Sequence, residues 1–379
     1  MQAFLKQYGV LVGALLLITG AVWYLEMQKP NRTKAPEGVS DISLEQSTDT
    51  TREARIAAKA KKYERVKEIS SPDGFINTAP FALKDYVGKK VILVDFWTYS
   101  CINCKRTTPY LNTWYDKYEK DGFVIVGIHT PEFDFEKVYD NVKKATEQEK
   151  IKFPVVLDND YSTWTAYKNQ YWPRKYLIDI DGFIVYDHIG EGAYDETEAK
   201  IVDALNERAQ TLGMGKVEMS GTSPTDVVLP SAGVSPETYL GFARSEYMAN
   251  PLLAGCRDAV CDYTLPARIP SNTFGIEGKW TIKQEFARTE AKDASLMFSV
   301  RAKNVYLVGH GAQGAVNVHV LLDGKEVPAS ASGESLKNST LMINDAKLYH
   351  VFSFPGVESH TLELKSDGPG LELFTFTFG

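Results

Sequence analysis

An apolar strand and a helix flank a pair of closely spaced cysteines, and this arrangement constrains the fold more than any other feature of the chain. Residues 91–97 (VILVDFW) form a nearly continuous apolar run, which is typical of a strand covered on both faces of a sheet. Cys101 and Cys104 follow it, and a helical pattern follows them. The segment therefore predicts a central strand, a C-x-x-C pair at the junction, and a helix whose first turn carries both thiols.

The placement of the two thiols predicts unequal roles. The unpaired N–H groups at a helix N-terminus favour a thiolate, so we expect Cys101 to be the nucleophile. Cys104, one turn later, is expected to be more buried and to resolve a mixed disulfide by attacking Cys101. A zinc site and a pair of structural core cysteines are the alternatives. Zinc usually needs four ligands, and no histidine or further cysteine lies at a metal-ligand spacing from Cys101. We therefore expect no metal and no cofactor.

Two residues outside the pair are predicted to assist it. Asp95 interrupts the apolar strand, where a charge is costly, and a buried carboxyl with a raised pKa could take the Cys104 proton and return it. A carboxylate that only caps local backbone is the alternative. Pro173 follows Trp172, and a cis X-Pro bond beside the sulfurs would leave the neighbouring backbone free to pair with an incoming peptide. An ordinary trans turn is the alternative.

Aromatic residues near the cysteines are candidates for a substrate groove, although most aromatics in such a segment belong to a core. These candidates are Trp97, Tyr99 and Trp172. His129 is expected to be a hydrogen-bonded structural histidine. Thr98-x-x-Cys101 is similar to a peroxidase motif, but the proline expected seven positions before the cysteine is Val94, which disfavours a peroxidase.

The N-terminus carries an uncharged stretch from Gln7 to Leu25. At ~1.5 Å per residue, such a helix nearly matches a hydrocarbon core of ~30 Å. We expect an uncleaved membrane anchor or signal anchor over residues 1–26. A cleaved signal peptide, with Thr19-Gly20-Ala21 at the cut, and a buried core helix are the alternatives.

Composition divides the rest of the chain into four segments. A charged linker or stalk precedes a region of alternating strands and helices, and a linker rich in Gly, Ser, Thr and Pro separates that region from an all-strand pattern. The predicted bounds are 27–69 for the stalk, 70–213 for the α/β domain, 214–234 for the linker and 235–379 for a β-sandwich.

Charge and the remaining cysteines limit the functional classes. The formal net charge of -7 offers no basic stripe for a nucleic acid, so none is expected as a partner. Cys256 and Cys261 lie in a loop-like segment, and four intervening residues can close a small structural disulfide if the loop bends. Such a disulfide suits an oxidising compartment. We therefore expect the domains on the extracytoplasmic side of a cell membrane, held by a single-pass anchor.

The motifs around the cysteines resemble a known family. The stretch VILVDFWTYSCINCKRTTPYL is similar to the active-site segment of the thioredoxin superfamily, with Asp95 as its buried acid, Cys101 and Cys104 as its redox pair, and Pro173 as its cis proline. HTPEF, LDNDY, YWPRKYLID and GEGAYDETE further resemble the DipZ-type proteins, related to TlpA, and SPETYLGFARSE and FTFTFG resemble the carbohydrate-binding-like C-terminal domain of that family. The resemblance implies a thioredoxin-like α/β fold, a central mixed sheet flanked by helices, followed by an all-β, jelly-roll-like sandwich.

The resemblance also implies a function. It predicts a thiol:disulfide oxidoreductase that acts on disulfides of exported proteins. DipZ members carry a CcdA-type membrane electron-transfer domain on the same chain, whereas one apolar span is present here, so a separate CcdA-type membrane donor is expected. Ile102-Asn103 replaces Gly-Pro between the cysteines and leaves the direction of electron flow open, so a net oxidase or isomerase is a rival. Thr107 replaces the glutamate of TlpA and ResA relatives, which weakens an apocytochrome-reductase role.

A different class of function remains open for the C-terminal domain. A cell-envelope protein could bind a surface glycan and use the thioredoxin fold as a scaffold. A sugar site would need exposed aromatics with a few polar side chains, and the candidates are Trp280, Tyr306, His310 and His319, which core packing explains equally well. We expect this domain to contribute no catalytic group.

Overall fold

The structure is a computed structural model of the 379-residue chain, and it describes residues 42–219, 224, 232–252 and 255–379. The predicted anchor over residues 1–26 lies outside the described residues. Within those ranges no helix combines the length and the apolar character that a membrane span requires. Helix α1 (Ile42–Lys59) is the first described element, and residues Ala58–Gly379 form one compact unit.

The first domain is built on a six-stranded mixed sheet with the spatial order β1-β4-β3-β2-β5-β6. Strand β2 is parallel to β3 and antiparallel to β5. Its strands are β1 (Gly74–Ile76), β2 (Val91–Trp97), β3 (Phe123–His129), β4 (Val155–Leu157), β5 (Arg174–Ile178) and β6 (Ile184–Ile189). Its helices are α2 (Ile102–Tyr118), α3 (Tyr139–Gln148), α4 (Ser162–Ala166) and α5 (Tyr194–Leu212). The predicted thioredoxin-like α/β fold is confirmed.

Strand β2 explains why this sheet has two covered faces. All seven of its residues are buried. Leu93 and Trp97 pack in one apolar cluster together with Cys104, whereas Val94 and Phe96 pack in a second cluster on the other face. Because successive strand residues point to opposite faces, Asp95 lies on the face of Leu93, Trp97 and Cys104. The alternation therefore places a carboxyl group beneath the cysteine pair.

The C-terminal end of the predicted stalk contacts the first domain. Lys59 Nζ lies 3.0 Å from an Asp181 carboxylate oxygen and also pairs with Asp179 and Glu207. The Val66 N–H donates to Gly182 O across 3.0 Å. Lys59 reads as a solvated helix residue in the sequence, because its carboxylate partners are more than a hundred positions away.

The second domain is all-β, and its strands form one eleven-stranded hydrogen-bonded sheet. Two long strands dominate it: β11 pairs with β9 over Ser295–Phe298 and with β17 over Val305–Gly311, and it runs beside β16 along most of its length. The large β-sheet is confirmed, and the jelly-roll-like sandwich stays a prediction. The strands are β7 (Thr238–Tyr239), β8 (Val260–Tyr263), β9 (Phe274–Ile282), β10 (Ala287–Thr289), β11 (Ser295–Gly311), β12 (Val316–Leu322), β13 (Lys325–Glu326), β14 (Leu336–Lys337), β15 (Thr340–Ile343), β16 (Lys347–Ser366) and β17 (Leu371–Phe378).

A loop of the first domain fastens the two domains together. Phe133 and Phe135 insert beside Phe374 of β17, with ring centroids 5.1 and 4.8 Å from that ring. Phe133, Val308 and Phe374 share a buried apolar cluster. In addition, Tyr99 donates its hydroxyl to Ala346 O across 3.2 Å. The segment that precedes the cysteines is therefore in direct contact with the second domain.

Candidate active site

The two thiols occupy the first turn of α2 with different exposure. Cys101 is the N-cap of the helix, and its sulfur accepts a hydrogen bond from the Cys104 N–H with an N–S distance of 3.3 Å. Cys101 is half-buried, Cys104 is only 2% exposed, and both are free thiols. An incoming disulfide could therefore reach Cys101 before Cys104.

The buried thiol is held in its protonated form. Removal from solvent raises the pKa of Cys104 well above its usual value, and the adjacent Cys101 adds to the effect. The charge of Asp95 also raises this pKa, so the carboxylate lies within electrostatic reach of the sulfur. Cys104 becomes a nucleophile only when a base takes its proton.

Asp95 is a buried carboxyl group whose pKa lies near neutrality. It is 2% exposed, and burial raises its pKa to about 7, against the opposing effect of the Lys175 charge. Its Oδ1 is one of the buried polar atoms that have no hydrogen-bond partner among the described residues. A group with these properties can both accept and release a proton near pH 7.

Lys175 is a second buried ionisable group, and the sequence analysis missed it. It pairs with Asp95 in the register of β2 and β5, it is 0% exposed, and its Nζ donates to Gly190 O across 3.0 Å. Burial lowers the pKa of Lys175, whereas Asp95, Cys104 and Glu191 raise it. The signal in the sequence was a lysine inside the apolar strand segment that follows Pro173.

The segment before β5 brings a backbone carbonyl to the exposed thiol. The Trp172–Pro173 peptide bond is cis, which is the geometry that the sequence analysis expects. The Trp172 carbonyl oxygen lies 4.0 Å from the Cys101 sulfur, and the indole Nε1 donates to Thr130 O across 3.1 Å. Pro173 therefore lies beside the redox pair in space, although it is about seventy positions away in the chain.

Glu136 is a further buried acid at the site that the sequence analysis did not single out. It is 0% exposed, and it accepts hydrogen bonds from the hydroxyl and the N–H of Ser100 across 2.6 and 3.3 Å. It also accepts from the N–H groups of Glu132 and Phe133. Burial raises its pKa to about 7. Glu136 thus ties the residue before Cys101 to the loop that reaches the second domain.

The aromatic groove candidates take different positions. Trp97 and Tyr99 are 4% and 7% exposed, so they belong to the core and do not line the cavity that contains Cys101. Their rings pack on His129, which is fully buried and whose pKa burial lowers to about 3. Trp172 does line that cavity. Tyr99 lines a neighbouring cavity of about 480 Å³ together with Ile102 and Arg106. The role of these aromatic residues in a substrate groove stays a prediction.

The cavity at Cys101 has walls from both domains, which the sequence analysis did not anticipate. Its volume is about 500 Å³. Cys101 and Trp172 lie on the wall of the first domain, and Glu237, Tyr239 and Phe378 lie on the opposite wall. The C-terminal domain therefore reaches the redox pair, because the Phe133 loop holds it there.

Burial or ion pairing accounts for the four sugar-site candidates, and glycan binding stays a prediction. Trp280 and Tyr306 are 1% and 7% exposed, and Tyr306 lies at the edge of a cavity. His310 pairs with Glu372 and His319 with Glu326. Elsewhere in this domain Cys256 and Cys261, the pair for which the sequence analysis expects a disulfide, are joined by one.

Comparison with protein-family models gives a match for each domain. Residues 235–379 match the model described as a thioredoxin like C-terminal domain. Residues 64–187 match the model of the AhpC/TSA family.

Individual proteins of known sequence are similar to this chain. Protein DipZ of Mycobacterium tuberculosis is 35% identical over 329 residues, which is 85% of this chain and 44% of that protein. The chain thus spans less than half the length of that relative. The thiol-disulfide oxidoreductase YkuV of Bacillus subtilis is 28% identical over 39% of this chain and 98% of its own length. The thiol-disulfide oxidoreductase ResA of Bacillus thuringiensis is 35% identical over 31% of this chain and 64% of its own length.

Solved structures are also similar to part of this chain. StoA from Bacillus subtilis is 22% identical, with a TM-score of 0.29, over 32% of this chain and 88% of that one. A thioredoxin-like protein solved in its oxidised form is 25% identical, with a TM-score of 0.36, over 38% of this chain and 97% of that one.

Proposed function

We propose that this chain, a thioredoxin-like protein of the DipZ and TlpA type, is a thiol:disulfide oxidoreductase that exchanges disulfides through Cys101 and Cys104. One observation carries the proposal: a half-exposed thiol caps a helix, a buried thiol lies one turn away, and an acid with a pKa of about 7 lies beneath them. Structural thiols need neither the exposure difference nor the buried acid.

The exchange has two steps. The Cys101 thiolate attacks one sulfur of a substrate disulfide, so a mixed disulfide forms and the other substrate sulfur leaves as a thiolate. Cys104 then loses its proton and attacks the Cys101 sulfur, which closes the Cys101–Cys104 disulfide and releases the second substrate thiolate. Two electrons pass from the dithiol to the substrate, the Cys104 proton passes to Asp95, and the two substrate thiolates take up protons from the solvent.

Asp95 and Lys175 serve the second step. Asp95 takes the Cys104 proton and returns it when the pair is reduced again, because its pKa of about 7 matches the working range. Lys175 opposes the effect of burial on that pKa and so keeps the carboxylate available. The backbone of Trp172 beside Cys101 holds the substrate segment in an extended form.

We further propose the direction and the setting of the reaction. The domains are tethered on the outer side of a cell membrane by residues 1–26, and they reduce disulfides of exported proteins. A separate CcdA-type membrane donor restores the dithiol. The disulfide of Cys256 and Cys261 supports an oxidising compartment, since such bonds persist there.

Trapping of mixed disulfides tests the exchange. Cys104→Ser leaves the attacking thiol and removes the resolving one, so covalent adducts with exported proteins should accumulate on non-reducing gels. Cys101→Ser is the matched control and should trap none. The assignment fails if Cys101→Ser gives the adducts, and the activity itself fails if neither variant traps a substrate and the unaltered chain reduces no disulfide.

A further inference from the structure

We propose that the cleft between the two domains selects disulfides flanked by lysine or arginine, and that Glu237 of the second domain is a specificity-determining residue. The occupant is an extended polypeptide segment that carries one cysteine of the substrate disulfide. This inference rests on the proposed exchange reaction, and it adds the kind of substrate that the exchange favours.

The shape of the cleft favours an extended segment. The cavity at Cys101 is bounded on one side by the start of α2 and Trp172 and on the other by Glu237 and Phe378. It continues past Trp172 into a second cavity of about 250 Å³, which shares Glu132, Trp172, Tyr239 and Arg244 with the first. A chain that places its sulfur at Cys101 therefore runs between the domains for several residues.

The charges along this path favour a cationic segment. The lining of the two cavities includes three carboxylates and one guanidinium, namely Glu132, Glu237, Glu285 and Arg244. Arg244 donates to Glu132 across 2.9 Å, and Glu132 also accepts from the Tyr239 hydroxyl across 2.7 Å. Arg244 is thus paired within the wall. Burial raises the pKa values of Glu237 and Glu285, that of Glu237 to about 7, so the cleft has its excess of negative charge at pH 8.

Glu237 is the carboxylate best placed to meet the substrate. Glu132 already has two partners, and Glu285 accepts from the Asp134 N–H across 2.9 Å. Glu237 lies on the cavity wall that faces Cys101, and much of its surface is exposed. Burial and the neighbouring Glu132 charge raise the pKa of its carboxyl group to about 7, against the opposing effects of a Tyr239 hydrogen bond and the Arg244 charge, so Glu237 carries its negative charge at pH 8. A lysine or arginine beside the substrate cysteine would therefore be attracted to it, whereas a glutamate at the same place would be repelled. The same cation also lowers the pKa of the departing thiol and speeds its release.

Two peptide disulfides that differ only in charge test the inference. One carries lysine on both sides of each cysteine and the other carries glutamate. The reduced full-length chain is mixed with each at low ionic strength and at pH 8, where the Glu237 carboxyl group is charged. We expect the second-order rate constant for the lysine peptide to exceed that for the glutamate peptide by about tenfold, and added salt to reduce the ratio. Glu237→Gln should lower the ratio about threefold, and Glu237→Lys should lower it further.

Glu334→Gln is the matched control. Glu334 is an exposed acid of the same domain that lines a different cavity, so this change alters the net charge equally and should leave the ratio unchanged. Equal rates for the two peptides, or equal effects of Glu237→Gln and Glu334→Gln, would overturn the inference while the exchange activity stands. Reduction of neither peptide would overturn the proposed exchange and this inference with it.

Discussion

Asp95 and Lys175 lie opposite each other on neighbouring antiparallel strands, and both side chains are buried beneath the redox pair. Each lowers the cost of burying the other's charge, since Lys175 lowers the pKa of Asp95 and Asp95 raises that of Lys175. The charges are therefore coupled, and the protonation of one depends on the presence of the other. This coupling makes the pH dependence of exchange open to test.

Lys175→Met should move the pH dependence of the exchange to higher pH. Without the lysine charge the pKa of Asp95 rises above about 7, so the carboxyl accepts the Cys104 proton only at higher pH. We expect a shift of about one pH unit in the midpoint of the rate profile between pH 6 and 9. Lys152→Met, at an exposed lysine paired with Asp116, is the control and should not shift it. An unchanged midpoint in Lys175→Met would contradict the coupling.

Asp95→Asn should remove part of the pH dependence of stability. An aspartate in an unfolded chain has a pKa of about 3.9, whereas burial raises the pKa of Asp95 to about 7 in the folded state. Between these values the folded chain keeps a proton that the unfolded chain has lost. The free energy of unfolding therefore falls as pH rises through this window, by roughly 1.4 kcal/mol per pH unit for this group.

The variant should accordingly be more stable than the unaltered chain at pH 8, and the two should converge near pH 4. Urea titrations across this range measure the difference. Burial also raises the pKa of Glu136, so the free energy of unfolding of the Asp95→Asn variant should still depend on pH through Glu136. Greater stability together with slower exchange would separate the chemical role of Asp95 from a structural one, whereas a loss of stability at pH 8 would show that Asp95 is a structural partner of Lys175.

Glu136→Ala should slow the reaction of Cys101, because the substitution removes the hydrogen bonds that hold Ser100, the residue before Cys101. Removing the carboxylate leaves the Ser100 N–H and hydroxyl and two loop N–H groups without their buried acceptor, at a cost of about 1–3 kcal/mol for each such group. Glu136→Gln restores one acceptor oxygen and should recover part of the rate. The rate of Cys101 alkylation, measured against pH in a Cys104→Ser background, reports the local environment of the thiol. It therefore separates a local displacement of Cys101 from global unfolding. Equal rates and pH profiles in all forms would limit Glu136 to a packing role.

Lys59→Met should destabilise the first domain although Lys59 is far from the cysteines in sequence. The ammonium group compensates three carboxylates, of which Asp179 and Asp181 have almost no exposure. Breaking such a buried group of charges costs about 3 kcal/mol at neutral pH. Lys61→Met, at an exposed position of the same segment, should change the unfolding free energy little. A similar loss in both variants would show that the charge cluster is not its cause.

Sequence reasoning reached the parts of the site that local pattern determines. Three features can be recognised from a few neighbouring residues: the apolar run of β2 with its one acid, the cysteine spacing, and the Trp172–Pro173 step. The thioredoxin-like domain followed from them. Lys175 and Glu136 did not, because their partners depend on strand register and on a loop that returns from 36 positions away. No local pattern distinguishes a buried charge of this kind from a solvated one.

The wall formed by the second domain was missed for a related reason. Phe133 and Phe135 read as ordinary apolar residues in a loop, and Glu237 reads as a surface acid near a linker. Only the packing of the two phenylalanines against Phe374 brings Glu237 to the cavity of Cys101. Prediction of this contact would have required knowledge of which face of the β domain meets the loop.

The aromatic contact around Phe374 also bears on how the two domains can be recombined. The linker before residue 235 invites a simple exchange of C-terminal domains between relatives, as with any modular chain. Here such a chimaera would inherit the Phe133 loop without its matching β17 surface, and that loop also anchors Ser100 through Glu136. A successful graft must therefore carry the loop and the β domain together. The linker marks a boundary in composition, but it does not mark a boundary at which the two domains can be exchanged independently.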